Sequence, residues 1–344
     1  MKVVILPLYG IGDTLMTTPA IKILKNYIKC EITNICMFQS NYEVLKGNPF
    51  IDDLIYFPFL KKSKLEVVKF INSLRGRFEA SINFYPSNRW QYNFIAWFIG
   101  SKNRMGHRYI KMDLRQLNFL KNYTVKEDEN LHNVEENVKL LKFFGVNSID
   151  IPPMLFYHDD REIESGREFV KKSSMREVKL GVHTGTSSFK NHKNRRWPKE
   201  NFSELINSFP DIDFFVFGTK EEEESNQFIL NNARYKNVIL IQDRALRQVA
   251  SIIKQMNAFI SNDSGLMHLA AAVGTPVVAI FGPTNPVWVR PWGVKHRVVR
   301  AGLSCSPCFY YSPKALECVE GLDFKCLEDI DVSMVKSAIE RLIL

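Results

Sequence analysis

The stretch Ser261-Asn262-Asp263-Ser264-Gly265-Leu266-Met267-His268, continued as LAAAVGTPVVAIFGPT to Thr284, decides the fold. An apolar run, AFISND, ends at a polar turn; small residues with helical spacing follow; PVVAIFG then reads as a second strand. Ser264 is suited to cap the helix, which leaves the Gly265, Leu266 and Met267 amides pointing into the loop, where free N–H groups and the helix dipole favour a phosphate. Gly265 lets an anion approach the backbone, and His268, one turn in, adds a donor. Each of these residues alone fits an ordinary cap or a packing position. Together, at the carboxyl end of a parallel strand, they favour a ligand site.

Working outward, EVKLGVHTG reads as a strand opening into a polar loop that carries Thr186, Ser187, Lys190, Lys193, Arg195 and Arg196 before the helix PKENFSELINSF. DFFVFGT and NVILIQD supply two further apolar runs. The first half shows the same alternation: KVVILPL stops at Tyr9-Gly10-Ile11-Gly12-Asp13 and TLMTTPAIKILKNYI has helical spacing. EITNICMF, DLIYFPF and ASINFYP follow as strands, with a helix over KLEVVKFINSLRG. Strands alternating with helices imply parallel βαβ units. The expected architecture is α/β, with two Rossmann-like domains, 1–165 and 176–330, whose parallel sheets face a cleft. DVSMVKSAIERLIL, 331–344, is expected to close the chain as an amphipathic helix, and the charged stretch from Pro152-Pro153 to Met175 to link the domains.

A chain of 344 residues suits two cores, and 45% hydrophobic with 24% charged residues describes a folded globular protein. The +9 formal charge and pI near 9.1 call for an anionic partner without naming it. Nucleic acid is the weakest choice, because no zinc-finger helix, RNA-recognition signature or long basic tract is present. The start lacks the features of a secretory signal, and no apolar run reaches the roughly 18 residues of a membrane span, so the cytoplasm is the expected location. Arg89-Trp-Gln-Tyr-Asn-Phe-Ile-Ala-Trp97-Phe98 fits either peripheral contact with a membrane or a buried helix, and its mostly apolar pattern favours the latter.

NDSGLMHLAAAVGTPVVAIFGPTNP resembles, residue by residue, the signature of glycosyltransferase family nine, the heptosyltransferases. HTGTSSFKNHKNRRWPKENFSELI, FVFGTKEEEE and LYGIGDTLMTTPAIKILK resemble further segments of that family. FEASINFYPSNRWQYNFIAWFIGSKNRMG matches more loosely, with Asn83 where an Asp is usual. The resemblance implies a GT-B fold, with the acceptor bound mainly by the first domain and the nucleotide-sugar by the second. It also implies inverting transfer of heptose from ADP-heptose to a lipopolysaccharide core or a related glycan, with departure of ADP.

Such a transfer needs a base for the acceptor proton and a donor-rich clamp on the leaving diphosphate. Asp13, after the Gly10-x-Gly12 turn, is the candidate base; local sequence fits a helix cap equally, and the resemblance implies the catalytic role. Arg195 and Arg196, with Thr186 and Ser187, are the candidate clamp, against the alternative of a solvated basic loop. Glu222 matches loosely a family position holding the ribose hydroxyls, and an exposed acidic helix start fits it as well. No Asp-x-Asp pair stands out, so no Mg²⁺ and no organic cofactor are expected.

Cys305-x₂-Cys308-x₉-Cys318-x₇-Cys326 offers four thiolates in one loop. In a cytoplasmic protein that spacing favours structural zinc or iron over disulfides, with four reduced thiols as the alternative. Three other functions are weighed. A NAD-dependent enzyme would need a glycine where Leu15 stands. A non-enzymatic module would bind ADP without releasing it from ADP-heptose. A transferase with a protein or capsular acceptor would keep the chemistry and change the partner.

Overall fold

The computed structural model describes residues 1–6, 10–147, 149–311 and 314–343. The chain divides into two compact units, Met1–Tyr157 and His158–Leu344. In the first, β1 (Lys2–Ile5), β2 (Glu31–Cys36), β3 (Asp53–Tyr56), β4 (Ala80–Ile82), β5 (Asn103–Arg108) and β6 (Tyr123–Lys126) form a sheet in the order β3-β2-β1-β4-β5-β6. In the second, β7 (Val178–His183), β8 (Ile212–Gly218), β9 (Val238–Gln242), β10 (Ala258–Asn262), β11 (Val277–Ile280) and β12 (His296–Val299) form the order β12-β11-β10-β7-β8-β9. All pairings recorded for these strands are parallel. Each sheet therefore runs outward in both directions from its first strand, the doubly wound Rossmann order, and its crevice for a ligand lies at the carboxyl ends of β1/β4 and β7/β10.

Strand alternation explains the burial. Val3 and Ile5 join one core cluster while Val4 and Leu6 join another, so β1 is covered on both faces and reads as an unbroken apolar run. In the second unit Leu180, Val182, Phe214, Val216, Ile260 and Val278 share one core. On the other face Gly181 makes room for Phe259 and Phe217: a Cβ at Gly181 would stand 2.4 Å from the Phe259 ring.

The helix Ile11–Tyr27 carries Pro19 in its interior. Proline lacks the N–H that would bond the Leu15 carbonyl, and the Thr18 hydroxyl donates to that carbonyl instead at 2.7 Å. The closing helix, Val332–Ile343, buries Val335 and Ile339 in the core of the second unit. No helix among the described residues is long and apolar enough to cross a membrane.

Two expectations change. The stretch read as a link up to Met175 contains the helix Asp160–Ser173, held to the second unit. Gly166 brings it against the helix Leu246–Ile253, where a Cβ would stand 2.5 Å from the Ser251 carbonyl oxygen, and Arg247 donates to Glu162 at 2.6 Å. Its charge-rich, weakly apolar face disguised it as linker. The Trp90–Phe98 helix is half-buried: Tyr92, Asn93, Ile95 and Ala96 face inward, and Trp90, Phe94 and Trp97 face solvent.

Candidate active site

The second unit gathers its polar residues at the ends of β7 and β10. Ser264 is the N-cap of the helix Gly265–Ala272, as expected, and its Oγ accepts the Met267 amide at 3.4 Å. That bond engages one of the three amides expected to face a phosphate. The Ser264 hydroxyl also meets Ser261 Oγ at 2.9 Å and His183 Nδ1 at 3.1 Å, so the cap is fixed by three partners. Asn262 ties the loops together, accepting the Trp197 amide at 2.9 Å and donating to the Thr184 carbonyl at 2.8 Å.

Both candidate clamp arginines come to this place, each against a carboxylate. Arg195 Nη1 donates to Asp263 Oδ2 at 2.8 Å, with the side chains only 11% and 8% exposed. Arg196 Nη2 donates to Glu222 Oε1 at 3.1 Å and to the Thr186 carbonyl at 2.8 Å. Glu222 is buried and not an exposed helix start; its second oxygen accepts from Thr219, and a Cβ on Gly185 would collide with it at 2.5 Å. Thr186 is buried and its hydroxyl donates to the His192 carbonyl, whereas Ser187 is exposed and accepts the Phe189 amide in a local turn. The Phe309 ring lies 4.2 Å from the Arg195 guanidinium carbon, a close cation–π contact that fixes the plane of the fork.

Burial disfavours the charged form of the imidazoles here. His183 and His268 are pulled down to about 4 by burial, with Glu222 opposing the shift at the first and Asp263 at the second. His192 is lowered to about 4 by burial and then by Arg195. His268 Nδ1 is buried without a hydrogen-bond partner. The switch point thus gathers the first amides of the helix, at Gly265 and Leu266, one unpartnered imidazole nitrogen and two guanidinium groups.

In the first unit Asp13 is the third residue of the helix Ile11–Tyr27, and Gly10 occupies the N-cap. The capping alternative for Asp13 therefore falls away. Its half-buried carboxylate sits in the positive first turn and leans back toward Gly10, with Oδ2 3.9 Å from where a Cβ there would lie; Gly12 is buried behind it. Burial raises the Tyr92 phenol above its usual range, Arg89 opposes the rise, and Asp13 adds to it, so Tyr92 lies in the field of this carboxylate.

Cys305, Cys308, Cys318 and Cys326 are free thiols lining one pocket together with Pro283 and Phe324. The Cys318 thiol is lowered by the Phe324 amide foremost, with those of Leu322, Glu320 and Gly321, whereas burial pushes Cys326 up to about 11. Among the described residues no group of three or more His, Cys, Asp or Glu side chains is set as a metal site. The loop is nevertheless tied to the donor residues: Cys308 and Phe309 amides bond the Pro283 carbonyl, and the Leu316 amide bonds Lys190.

Each unit is doubly wound, and the second gathers two guanidinium groups, a helix start and buried imidazoles at its switch point, a set of groups that suits a nucleotide. The chain belongs to glycosyltransferase family 9 (heptosyltransferase), whose model matches residues 67–318. It is 27% identical over 314 residues to lipooligosaccharide heptosyltransferase 2 of Campylobacter jejuni, covering 87% of this chain and 86% of that one. Over 114 residues, 31% of this chain and 32% of the relative, it is 35% identical to lipopolysaccharide heptosyltransferase 2 of Escherichia coli. The solved structure of the E. coli ADP-heptose heptosyltransferase II superposes with a TM-score of 0.77 at 20% identity, covering 100% of this chain and 98% of that one.

Sequence reading missed His183, Asn262 as the loop tie, and Phe309 over Arg195. His183 closes a strand and opens HTG, which is a signal; Phe309 lies more than a hundred residues from Arg195, and nothing local announces it.

Proposed function

We propose that this glycosyltransferase moves heptose from ADP-heptose to a lipopolysaccharide core or a related lipid-linked glycan, with inversion and release of ADP, at the cytoplasmic face of a membrane. The observation that carries the reading is the joining of Arg195, Arg196, Ser264 and His268 around one helix start at the switch point of the second sheet. What supports the donor is the family and the names of its relatives, among them the Campylobacter jejuni heptosyltransferase matched over 86% of its length.

The chemistry assigns each part a task. Asp13 takes the proton of the acceptor hydroxyl as that oxygen attacks the anomeric carbon. The bond from this carbon to the diphosphate breaks, and its electron pair leaves with ADP. Arg195, Arg196 and the Gly265 and Leu266 amides bear the charge that grows on the departing diphosphate, so they hold the transition state more tightly than the ground state. His268, neutral, donates or accepts one hydrogen bond at the sugar-diphosphate. Glu222, beside Gly185, takes the ribose hydroxyls in this reading. No organic cofactor and no Mg²⁺ enter the steps.

The four-cysteine loop is proposed as a structural clip holding zinc or iron. Support comes from the donor set, which suits either metal, from the shared pocket, and from the amides that favour a thiolate at Cys318. Its bonds to Pro283 and Lys190 would then steady the donor pocket.

The test is ADP release from ADP-heptose in the presence of truncated core glycolipids. Release that requires an acceptor, with a heptosylated product by mass spectrometry, is expected. Release without acceptor would make the protein a hydrolase, and ADP binding without any release a non-enzymatic module.

A further inference from the structure

His192 lies in the clamp loop between Lys190 and Arg195 and has no part in the steps above. Lys190 and Asn191, directly before it, both sit in the left-handed region, at φ 54° and 58°. Asparagine visits that region readily, but a lysine seldom does, so two such residues in a row persist only where the surroundings hold them. They are held on two sides here: the Lys190 carbonyl accepts the Leu316 amide at 2.9 Å, and the His192 carbonyl accepts the Thr186 hydroxyl at 2.8 Å. The turn brings the imidazole edge-on to the Phe309 ring, with 5.9 Å between centroids, and the Arg195 guanidinium lies on that same ring. The imidazole is half-buried, and among the described residues neither of its nitrogens makes a hydrogen bond.

Charges reach the ring from two elements: Arg195 and Lys190 on its own loop, and Asp263 at the end of β10; the cysteine loop meets it with the uncharged Phe309 ring. Burial foremost, and then Arg195, lower the imidazole to about 4, Asp263 opposing the fall and Lys190 adding to it. An imidazole held uncharged by burial and a neighbouring cation takes up a proton when a doubly negative group arrives beside it. We infer that His192 is a third cationic partner of the donor's diphosphate, protonated only while the diphosphate is bound, and that it donates a hydrogen bond to one of the diphosphate oxygens. The proton comes from solvent on binding and returns to it when ADP departs. Arg195 and Arg196 are balanced by Asp263 and Glu222, so a third permanent cation buried beside them would stand uncompensated before the ligand arrives, whereas an imidazole supplies the charge only when it has a partner. The inference deepens the donor reading and rests on it for the diphosphate.

The experiment is titration calorimetry of ADP into the full chain from pH 8 to pH 5.5, run at pH 6 in two buffers of different ionisation heat, for the wild-type protein, His192→Phe and His192→Gln. Phenylalanine keeps the ring contact with Phe309 and glutamine keeps a hydrogen-bonding group; neither takes a proton, and the titration of ADP's own phosphate cancels between the proteins. With the bound diphosphate restoring the ordinary histidine value of about 6.5, the wild-type protein should take up about 0.7 proton per ADP more than either variant at pH 6, and its affinity advantage over them should grow roughly tenfold from pH 8 to pH 5.5. A role in packing alone would move neither readout. An uptake equal in all three proteins, or an advantage independent of pH, would overturn the inference and leave the transferase reading intact. ADP bound with the expected uptake but never released from ADP-heptose in the presence of acceptor would sink the transferase reading alone.

Discussion

Asp263→Asn is the substitution whose consequences follow most directly from the site. The Arg195–Asp263 pair is about nine-tenths buried at both ends, with 2.8 Å between Nη1 and Oδ2. Removing the charge of one partner leaves a buried guanidinium uncompensated, which typically costs about 3–5 kcal/mol. The asparagine oxygen keeps one acceptor in place, and the Phe309 ring at 4.2 Å still faces the cation, so the lower end, about 3 kcal/mol, is expected. In a unit of this size that corresponds to a fall of roughly 6–12 °C in the melting temperature. A diphosphate supplies the missing negative charge. The variant should therefore be stabilised by saturating ADP by several degrees more than the wild-type protein is. Differential scanning fluorimetry of both proteins with and without ADP measures this. An unchanged melting temperature would show that the pair is not coupled to folding, and an equal ADP increment would show that Arg195 does not meet the diphosphate.

The remaining predictions concern the base, the core, pH and metal. Asp13→Asn should lower kcat by about 10²–10⁴ with ADP affinity unchanged in calorimetry; an equal loss in ADP affinity would contradict its role as base. Gly181→Ala places a methyl 2.4 Å from the Phe259 ring and should cost about 1–3 kcal/mol in urea unfolding, whereas a neutral result would mean the sheet yields easily. His183 and His268, at about 4 against an ordinary value of 6.5, bind protons only in the unfolded chain between those values. Stability is thus whole above about pH 6.5 and falls as pH drops toward 4, at about 1.4 kcal/mol per unit for each histidine, and His268→Gln should flatten the slope seen in urea midpoints from pH 7 to 5. Protein purified under reducing conditions should contain about one zinc or iron per chain by plasma emission spectroscopy, and Cys308→Ser with Cys318→Ser should abolish it; a metal-free wild-type chain that binds ADP normally would leave the four thiols as plain cysteines.

Local chemistry made much of this legible. The runs over β1 to β4 and over β7 to β11 are largely apolar and stop at glycine or polar turns, and the central strands β1, β7 and β10 read most plainly because both their faces are covered. β5, NRMGHR, and β12, HRVV, escaped because charged residues stand where an edge or near-edge strand meets solvent. The helix Asp160–Ser173 escaped because its contact depends on Gly166, where the absence of a side chain does the packing. At the site, caps and strand ends were readable from short motifs, whereas partner choice was not: the pairing of Arg195 with Asp263 spans 68 residues and that of Arg196 with Glu222 spans 26.

Those pairings change how the pocket should be understood. A clamp of free arginines would attract any anion, including inorganic phosphate, and would be costly to fold around. Here each guanidinium already has a carboxylate, so an incoming ligand exchanges one negative partner for another and gains only the difference. A neutral sugar offers no such exchange. A single weak anion offers a poor one, because two carboxylates hold two forks in place. A diphosphate joined to a ribose can address both forks, the two free amides at Gly265 and Leu266, and Glu222 with its hydroxyls in a single molecule. Selectivity then comes from the number of partners satisfied at once, and Arg196→Lys, which keeps the charge but loses the paired donors to Thr186 and Glu222, should weaken ADP binding while leaving the weak binding of inorganic phosphate nearly untouched. Parallel losses for both ligands would show that charge alone, and not the fork, selects the donor.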